Sequence, residues 1–236
     1  MFATTRWSLV HAAGGLRSSV AREALGTLCE TYWYPLYAYA RRRGCAPPDA
    51  EDRVQAFFAG VLTDGVFAAA DPSRGRFRSF LLKSFQNFLH AEHRRDAAIK
   101  RGGGRTVQSL DAAQAEERYR LEPAESETPE RLFERNWALT LLQTTLSQVQ
   151  GEYAEKGQGK LYAALEAHLR QDREQLPYAE LATSLGLTEE AVKSAAHRLR
   201  KRYRELLRSA IADTLADAGD VDDELRLLLR AVAGAV

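Results

Sequence analysis

Apolar residues recur at three- and four-residue steps along almost the whole chain, and no sustained alternation of apolar and polar positions interrupts them. That is the period of a helix with one buried face, so the pattern predicts an all-α protein. Residues 21–43 place Leu25, Leu28, Tyr32, Leu36 and Tyr39 on one stripe, with Pro35 positioned to kink the helix or to start a new one. Residues 44–48 break the pattern. Asp49 then stands where it would cap a helix over 50–62, with Glu51 and Asp52 in a first turn where the helix dipole favours negative charge. A turn is expected at 71–75 and a long helix over 77–99, bearing Phe77, Phe80, Leu81, Phe85 and Phe88. Aromatics at helical spacing read first as core. The opposite face of that helix carries Lys83, Asn87, His90, Arg94 and Arg95.

The next stretch, 102–129, opens on three glycines, lacks a sustained apolar period and is rich in Glu, Ala and Ser, which are the marks of a flexible linker. Thr128 and Pro129 then form a cap and first-turn pair that starts a second helical block. Leu142, Leu146, Val149 and Tyr153 mark its inward face, 157–159 a turn, and 161–169 a short helix. The plan that results is two helical domains. Residues 1–101 form the first with an N-terminal extension, 102–129 the linker, 130–208 the second, and 209–236 a tail, acidic at first and then apolar enough for a short amphipathic helix.

The strongest local signal lies at 178–208, which reads as a helix-turn-helix running into a basic helix. Ala182 is small enough for a close helix crossing, Gly186 suits a turn that needs positive φ, and Val192 faces inward. Leu181, Leu185, Leu187 and Ala195 are expected to fill the remaining core positions. Between 193 and 204 there are six Lys or Arg residues and no acid, the composition of a helix that lays its outer face on nucleic acid. Lys193, Ser194, His197 and Arg198 fall on its early part, where base edges are read, and Arg200, Lys201 and Arg202 lie further along, where phosphates are expected.

Formal net charge is only +1, but the charge is segregated. Basic clusters at 41–43, 94–105 and 193–208 alternate with acidic stretches at 111–134 and 213–224, which puts positive field where DNA would dock. The acidic tail segment lies close enough in sequence to fold back on the basic helix and compete with DNA. Two cysteines, Cys29 and Cys45, make neither a disulfide framework nor a zinc cluster and read as small core residues in a reducing cytoplasm. The apolar runs are too short for a membrane span, and the first residues are too polar for a secretory signal. The five histidines have no metal-ligand spacing, and no zinc-protease, phosphate-loop or nucleophile-elbow motif is present. A binding protein without catalytic residues, metal or cofactor is therefore expected. On these residues alone, an ordinary helix-turn-helix regulator with a separate helical effector domain fits as well.

Three further motifs narrow the choice: DAEDRVQ at 49–55, FRSFL at 77–81 with Asn87 after it, and the helix-turn-helix on their C-terminal side. Together they resemble the extracytoplasmic-function (ECF) sigma factors of bacterial RNA polymerase, over about residues 20–105 and 130–208. The resemblance implies a cytoplasmic transcription-initiation factor that brings core RNA polymerase to promoter DNA and helps to melt it, and it leaves room for an anti-sigma partner. It implies polymerase docking through Asp49, Glu51, Asp52 and Gln55. Capture of an unpaired −10 strand would fall to Lys83, Asn87, His90, Arg94 and Arg95. Reading of the −35 element would fall to a helix from Thr188 to Arg202, with Lys193, Ser194, His197, Arg198, Arg200 and Lys201 along it. Arg53, Ala56 and Phe80 stand where the family commonly has an aliphatic residue, an acid and a tryptophan.

Overall fold

Helix is the sole regular structure among the described residues of the protein, a computed structural model that describes 19–63, 76–98, 110–122, 127–170, 176–215 and 218–233. In chain order the helices are α1 (Ser19–Arg42), α2 (Pro47–Thr63), α3 (Phe77–Ala98), α4 (Leu110–Arg120), α5 (Pro129–Glu155), α6 (Gly159–Arg170), α7 (Tyr178–Leu185), α8 (Glu189–Ala212) and α9 (Val221–Ala233), with a short 3₁₀ turn, Ala218–Asp220, before the last. The expected N-terminal extension, the turn at 71–75 and the glycine run at 102–104 lie outside the described residues.

The all-α expectation is met, and several boundaries fall where the sequence put them. Pro35 neither ends α1 nor starts a new helix; it lies inside it and is buried. α1 closes at Gly44, whose φ of +91° is open to glycine, with the Gly44 and Cys45 amides donating to the carbonyls of Arg41 and Ala40. α2 begins earlier than expected. Pro47 and Pro48 occupy its first turn, where a missing N–H costs nothing, so Asp49 lies within that turn rather than capping it. Thr128 does cap α5, its Oγ1 accepting the Arg131 amide at 3.2 Å.

The described residues fall into two compact units, with boundaries that differ from the sequence plan. One comprises the chain up to Thr140 together with Ile211–Val236, and the other is Leu141–Ala210. The first unit is built on aromatic packing. Leu28, Tyr32, Leu36 and Tyr39 of α1 are at most 2 % exposed, as their stripe predicted. Phe57 of α2 meets Phe85 of α3 edge-on at 5.1 Å, and Tyr32 meets Phe77 at 5.6 Å. Each such side chain contributes roughly 1.5–3 kcal/mol by leaving water. Phe85 is fully buried, whereas Phe80 and Phe88 are only partly so. Cys29 and Cys45 are unpaired and half-buried, and burial pushes the Cys29 thiol up to about 11.

Two parts of this unit correct the sequence reading. The segment 102–129 is not simply a linker, because α4 lies within it and packs on α1 and α2. Polar contacts fasten it. Arg41 forks onto Glu116 at 2.9 and 3.0 Å, Tyr37 donates to Glu116 at 2.8 Å, and Tyr34 donates to Glu122 at 2.8 Å. Burial works against the charge on Glu116, but the Arg41 and Tyr37 hydrogen bonds prevail and hold its carboxyl below the ordinary range. This anchor is therefore complete above that range and weakens as pH falls through the lowered value. Two residues of the 41–43 cluster are accordingly engaged in the fold: Arg41 binds Glu116, and Arg42 donates to the Glu127 carbonyl, while Arg43 is exposed.

The tail forms the expected helix. α9 belongs to the first unit, with Val221, Glu224 and Leu228 buried along one face. Glu224 pairs with Arg76 at 2.7 Å and with Arg78. Arg78 also binds Glu134 at 2.5 Å and lies 4.4 Å over the Trp137 ring.

The second unit packs the C-terminal half of α5 with α6, α7 and α8 around Val149, Tyr162, Leu165 and Val192. Leu146 and Tyr153 are buried as expected, and Leu142 is half-buried.

Candidate functional site

The helix-turn-helix is assembled from its turn outward. α7 ends at Gly186, whose φ of +65° and ψ of +31° are left-handed. The Gly186 amide donates to the Thr183 carbonyl at 3.4 Å and the Leu187 amide to the Ala182 carbonyl at 2.9 Å, which closes the helix and redirects the chain. Nothing lies within 4 Å of the place a Cβ would occupy, so a side chain there is opposed by backbone conformation alone. Gly186→Ala is therefore expected to lower stability by about 1–2 kcal/mol, with Gly186→Asn milder, as read by thermal unfolding.

α8 starts on Thr188, whose Oγ1 accepts the Ala191 amide at 3.2 Å while its carbonyl accepts the Val192 amide at 3.1 Å. Thr188, expected at the DNA, thus serves as the helix cap. Along α8, Val192, Ala195, Ala196 and Leu199 are at most 2 % exposed. Lys193, Ser194, His197, Arg198 and Lys201 are exposed on the opposite face, and Arg204 joins them there. Arg204 was absent from the expected contacts, although its spacing from His197 and Lys201 places it on their stripe. Lys193 pairs with Glu189 at 2.7 Å, and that hydrogen bond holds its ammonium above the ordinary range. Leu187, expected in the core, is 45 % exposed just beyond the turn.

Two of the expected phosphate contacts also make bonds within their own unit, Arg200 half-buried and Arg202 exposed. Arg200 is half-buried and donates to the Tyr178 hydroxyl at 3.0 Å and to the His168 carbonyl at 3.3 Å. Arg202 forks onto Glu152 at 2.8 and 2.6 Å, and its hydrogen bonds hold that carboxyl below the ordinary range. The reason is angular. Successive helical residues lie roughly 100° apart, so adjacent cations at 200, 201 and 202 point three ways, with Lys201 and Arg202 exposed and Arg200 half-buried. His168, which no motif marked, is buried and stacks on Tyr178 at 4.6 Å; burial and then the Arg200 charge lower its pKa from the usual histidine value.

In the first unit, α2 turns Val54, Phe57 and Phe58 inward, each at most 4 % exposed, and presents Asp52, Gln55, Ala56 and Ala59 on its outer face. Asp49 is exposed in the first turn. Glu51 is 5 % exposed and accepts a hydrogen bond from Gln55 at 3.0 Å, so it braces Gln55 and is not part of the outward surface.

α3 sets Lys83, Asn87, His90 and Arg94 in line at steps of four, three and four, all exposed. A concavity of about 550 Å³ opens here, and its described lining is Asn87, His90, His93 and Arg94. His93 was not among the expected residues; it lies three past His90, a spacing that puts both on one side. Arg95 is exposed but pairs with Glu92 at 2.6 Å. The expected sites are thus carried by α2 and α3 in one unit and by α8 in the other.

Among the described residues no helix is long and apolar enough to cross a membrane. No known protein-family model matches the chain, and no curated protein or solved structure matches it.

Proposed function

We propose that this protein is a transcription-initiation factor of the ECF sigma type, which joins core RNA polymerase, directs it to promoter DNA and acts by binding alone, in the cytoplasm and without a cofactor. The observation that carries this reading is the outer face of α8. Behind a capped turn, Lys193, Ser194, His197, Arg198, Lys201 and Arg204 share one exposed stripe, while the opposite side is sealed in the core. Such a face suits a helix that enters the major groove by its early residues and follows phosphates with its later ones. In this reading the two units work as two DNA-engaging domains, the second on the −35 element.

The first unit supports the same reading in two places. The line of Asn87, His90 and Arg94 borders a concavity and offers base-edge donors and acceptors beside the Arg94 guanidinium, as capture of an unpaired −10 strand requires. The outer face of α2 combines Asp52 and Gln55 with the small Ala56 and Ala59, so a basic partner helix could approach closely. Asp52→Arg is expected to weaken binding to core polymerase at least tenfold, on the order of 1.4 kcal/mol, while the melting temperature stays near that of the unaltered chain. Comigration with core enzyme in gel filtration checks it. Binding that persists in Asp52→Arg removes α2 as the docking surface, and a native chain that binds duplex DNA but never polymerase favours an ordinary helix-turn-helix regulator.

A further inference from the structure

Two of the cations on α8 lie at the borders of its exposed stripe. Arg200 and Arg202 stand roughly 100° to either side of Lys201 around the helix axis. Each falls between that stripe and the buried side formed by Val192, Ala195, Ala196 and Leu199. At one border Arg200, half-buried, donates to the His168 carbonyl of α6 at 3.3 Å and to the Tyr178 hydroxyl of α7 at 3.0 Å. The Tyr178 ring is held in turn by its stack on His168 at 4.6 Å. At the other border Arg202, exposed, forks onto Glu152 of α5 at 2.8 and 2.6 Å. All of these residues belong to one compact unit. Within it, α8 is laced along one edge to α6 and α7 and along the other to α5, with its apolar seam between the two.

Apolar contact is non-directional, so the seam opposes withdrawal of α8 from the core more than it opposes rotation about the helix's own axis. Hydrogen bonds are directional, and one on each border resists that rotation in both senses. Rotation matters at the outer face. Side-chain tips lie about 5–6 Å from the axis, so a roll of about 15° carries them by about 1.5 Å. A hydrogen bond to a base edge has a usable range of only about 0.5 Å, whereas a lysine on a flexible stem follows a phosphate through such a shift. We propose that the bonds of Arg200 and Arg202 set the roll of α8 and so determine which of its outer side chains reach base edges. The effect on base reading rests on the reading above, that α8 enters DNA; the control of roll does not. Arg200 and Arg202 are then positioning residues, which act through Lys193, Ser194, His197 and Arg198.

Two partner variants test this with every cation of α8 left in place. Tyr178→Phe removes the hydroxyl that accepts from Arg200 and keeps the ring on His168. Glu152→Gln removes the charge onto which Arg202 forks. Residual dipolar couplings of the α8 amides oscillate along the helix with a phase set by its roll, and they are read in the full chain against those of α5 and α6. Affinity is measured across a salt series for a duplex selected by the native chain from a random pool and for the same duplex changed at one base pair. In each variant the phase is expected to shift, or the oscillation to flatten, relative to the native chain. Discrimination between the two duplexes should fall about fivefold or more, with the salt slope unchanged because no phosphate contact is lost. Native couplings in both variants would overturn the control of roll. Altered couplings with full discrimination would overturn its role in base reading. A salt slope reduced by about one in Tyr178→Phe would make Tyr178 a DNA contact and overturn its part in the lacing. A native chain that selects no duplex would sink the functional reading, while the couplings would still decide the roll.

Discussion

Glu224→Ala is expected to lower the unfolding free energy by about 3–5 kcal/mol, the range found when one member of a buried ion pair is removed and the other is left behind. Glu224 is wholly enclosed, and Arg78 beside it is 4 % exposed. Taking the carboxylate away leaves Arg78 with Glu134 and the Trp137 ring as its neighbours and opens a void where the side chain stood. Arg226→Ala provides the contrast. Its pair with Asp223 lies on the surface, where ion pairs contribute about 0–1 kcal/mol. Urea unfolding of the two variants at neutral pH should therefore separate them widely. Similar small losses in both would mean that α9 is not held through Glu224.

A second large effect is expected at the outer face of α8. Arg198→Ala should cost about 1–3 kcal/mol of duplex affinity and relax preference at one base position, as loss of a base-edge contact does. Lys201→Ala should weaken binding on all sequences alike and reduce the salt slope by about one, as loss of a phosphate contact does. Arg202→Ala should leave the salt slope unchanged and show its effect in stability, because that guanidinium is committed to Glu152. Affinities measured across a salt series on several duplexes distinguish the three. A drop in slope for Arg202→Ala equal to that for Lys201→Ala would return Arg202 to the DNA.

What the sequence made legible was decided by short-range chemistry. Helical spacing located the stripes of α1 and α8, and the turn at Gly186 followed from the one residue that adopts positive φ without strain. What it concealed was decided by partners far away in the chain. Arg200 and Arg202 were indistinguishable from Lys201 by composition, and their partners within the unit are Tyr178, 22 residues off, and Glu152, 50 residues off. α4 looked like a linker because it lacks an apolar stripe: Ala115 is its one buried hydrophobic residue among those described, and its hold on α1 is polar, through Arg41 to Glu116 across 75 residues. Among the described acids of the tail Glu224 is the buried one, and its partner Arg78 lies 146 residues away. Likewise Glu51 shares a motif with Asp52 yet is buried while Asp52 is exposed, since neighbouring helical positions do not share a face.

The most direct test of the account is run-off transcription from a library of random promoters, using core RNA polymerase with and without this protein. The account predicts that the protein enriches templates carrying two short sequence elements at one fixed spacing, that Asp52→Arg abolishes the enrichment, and that Arg198→Ala alters one of the elements and leaves the other intact. Transcription no more selective than that of core polymerase alone, from a protein that still binds duplex DNA, would contradict it.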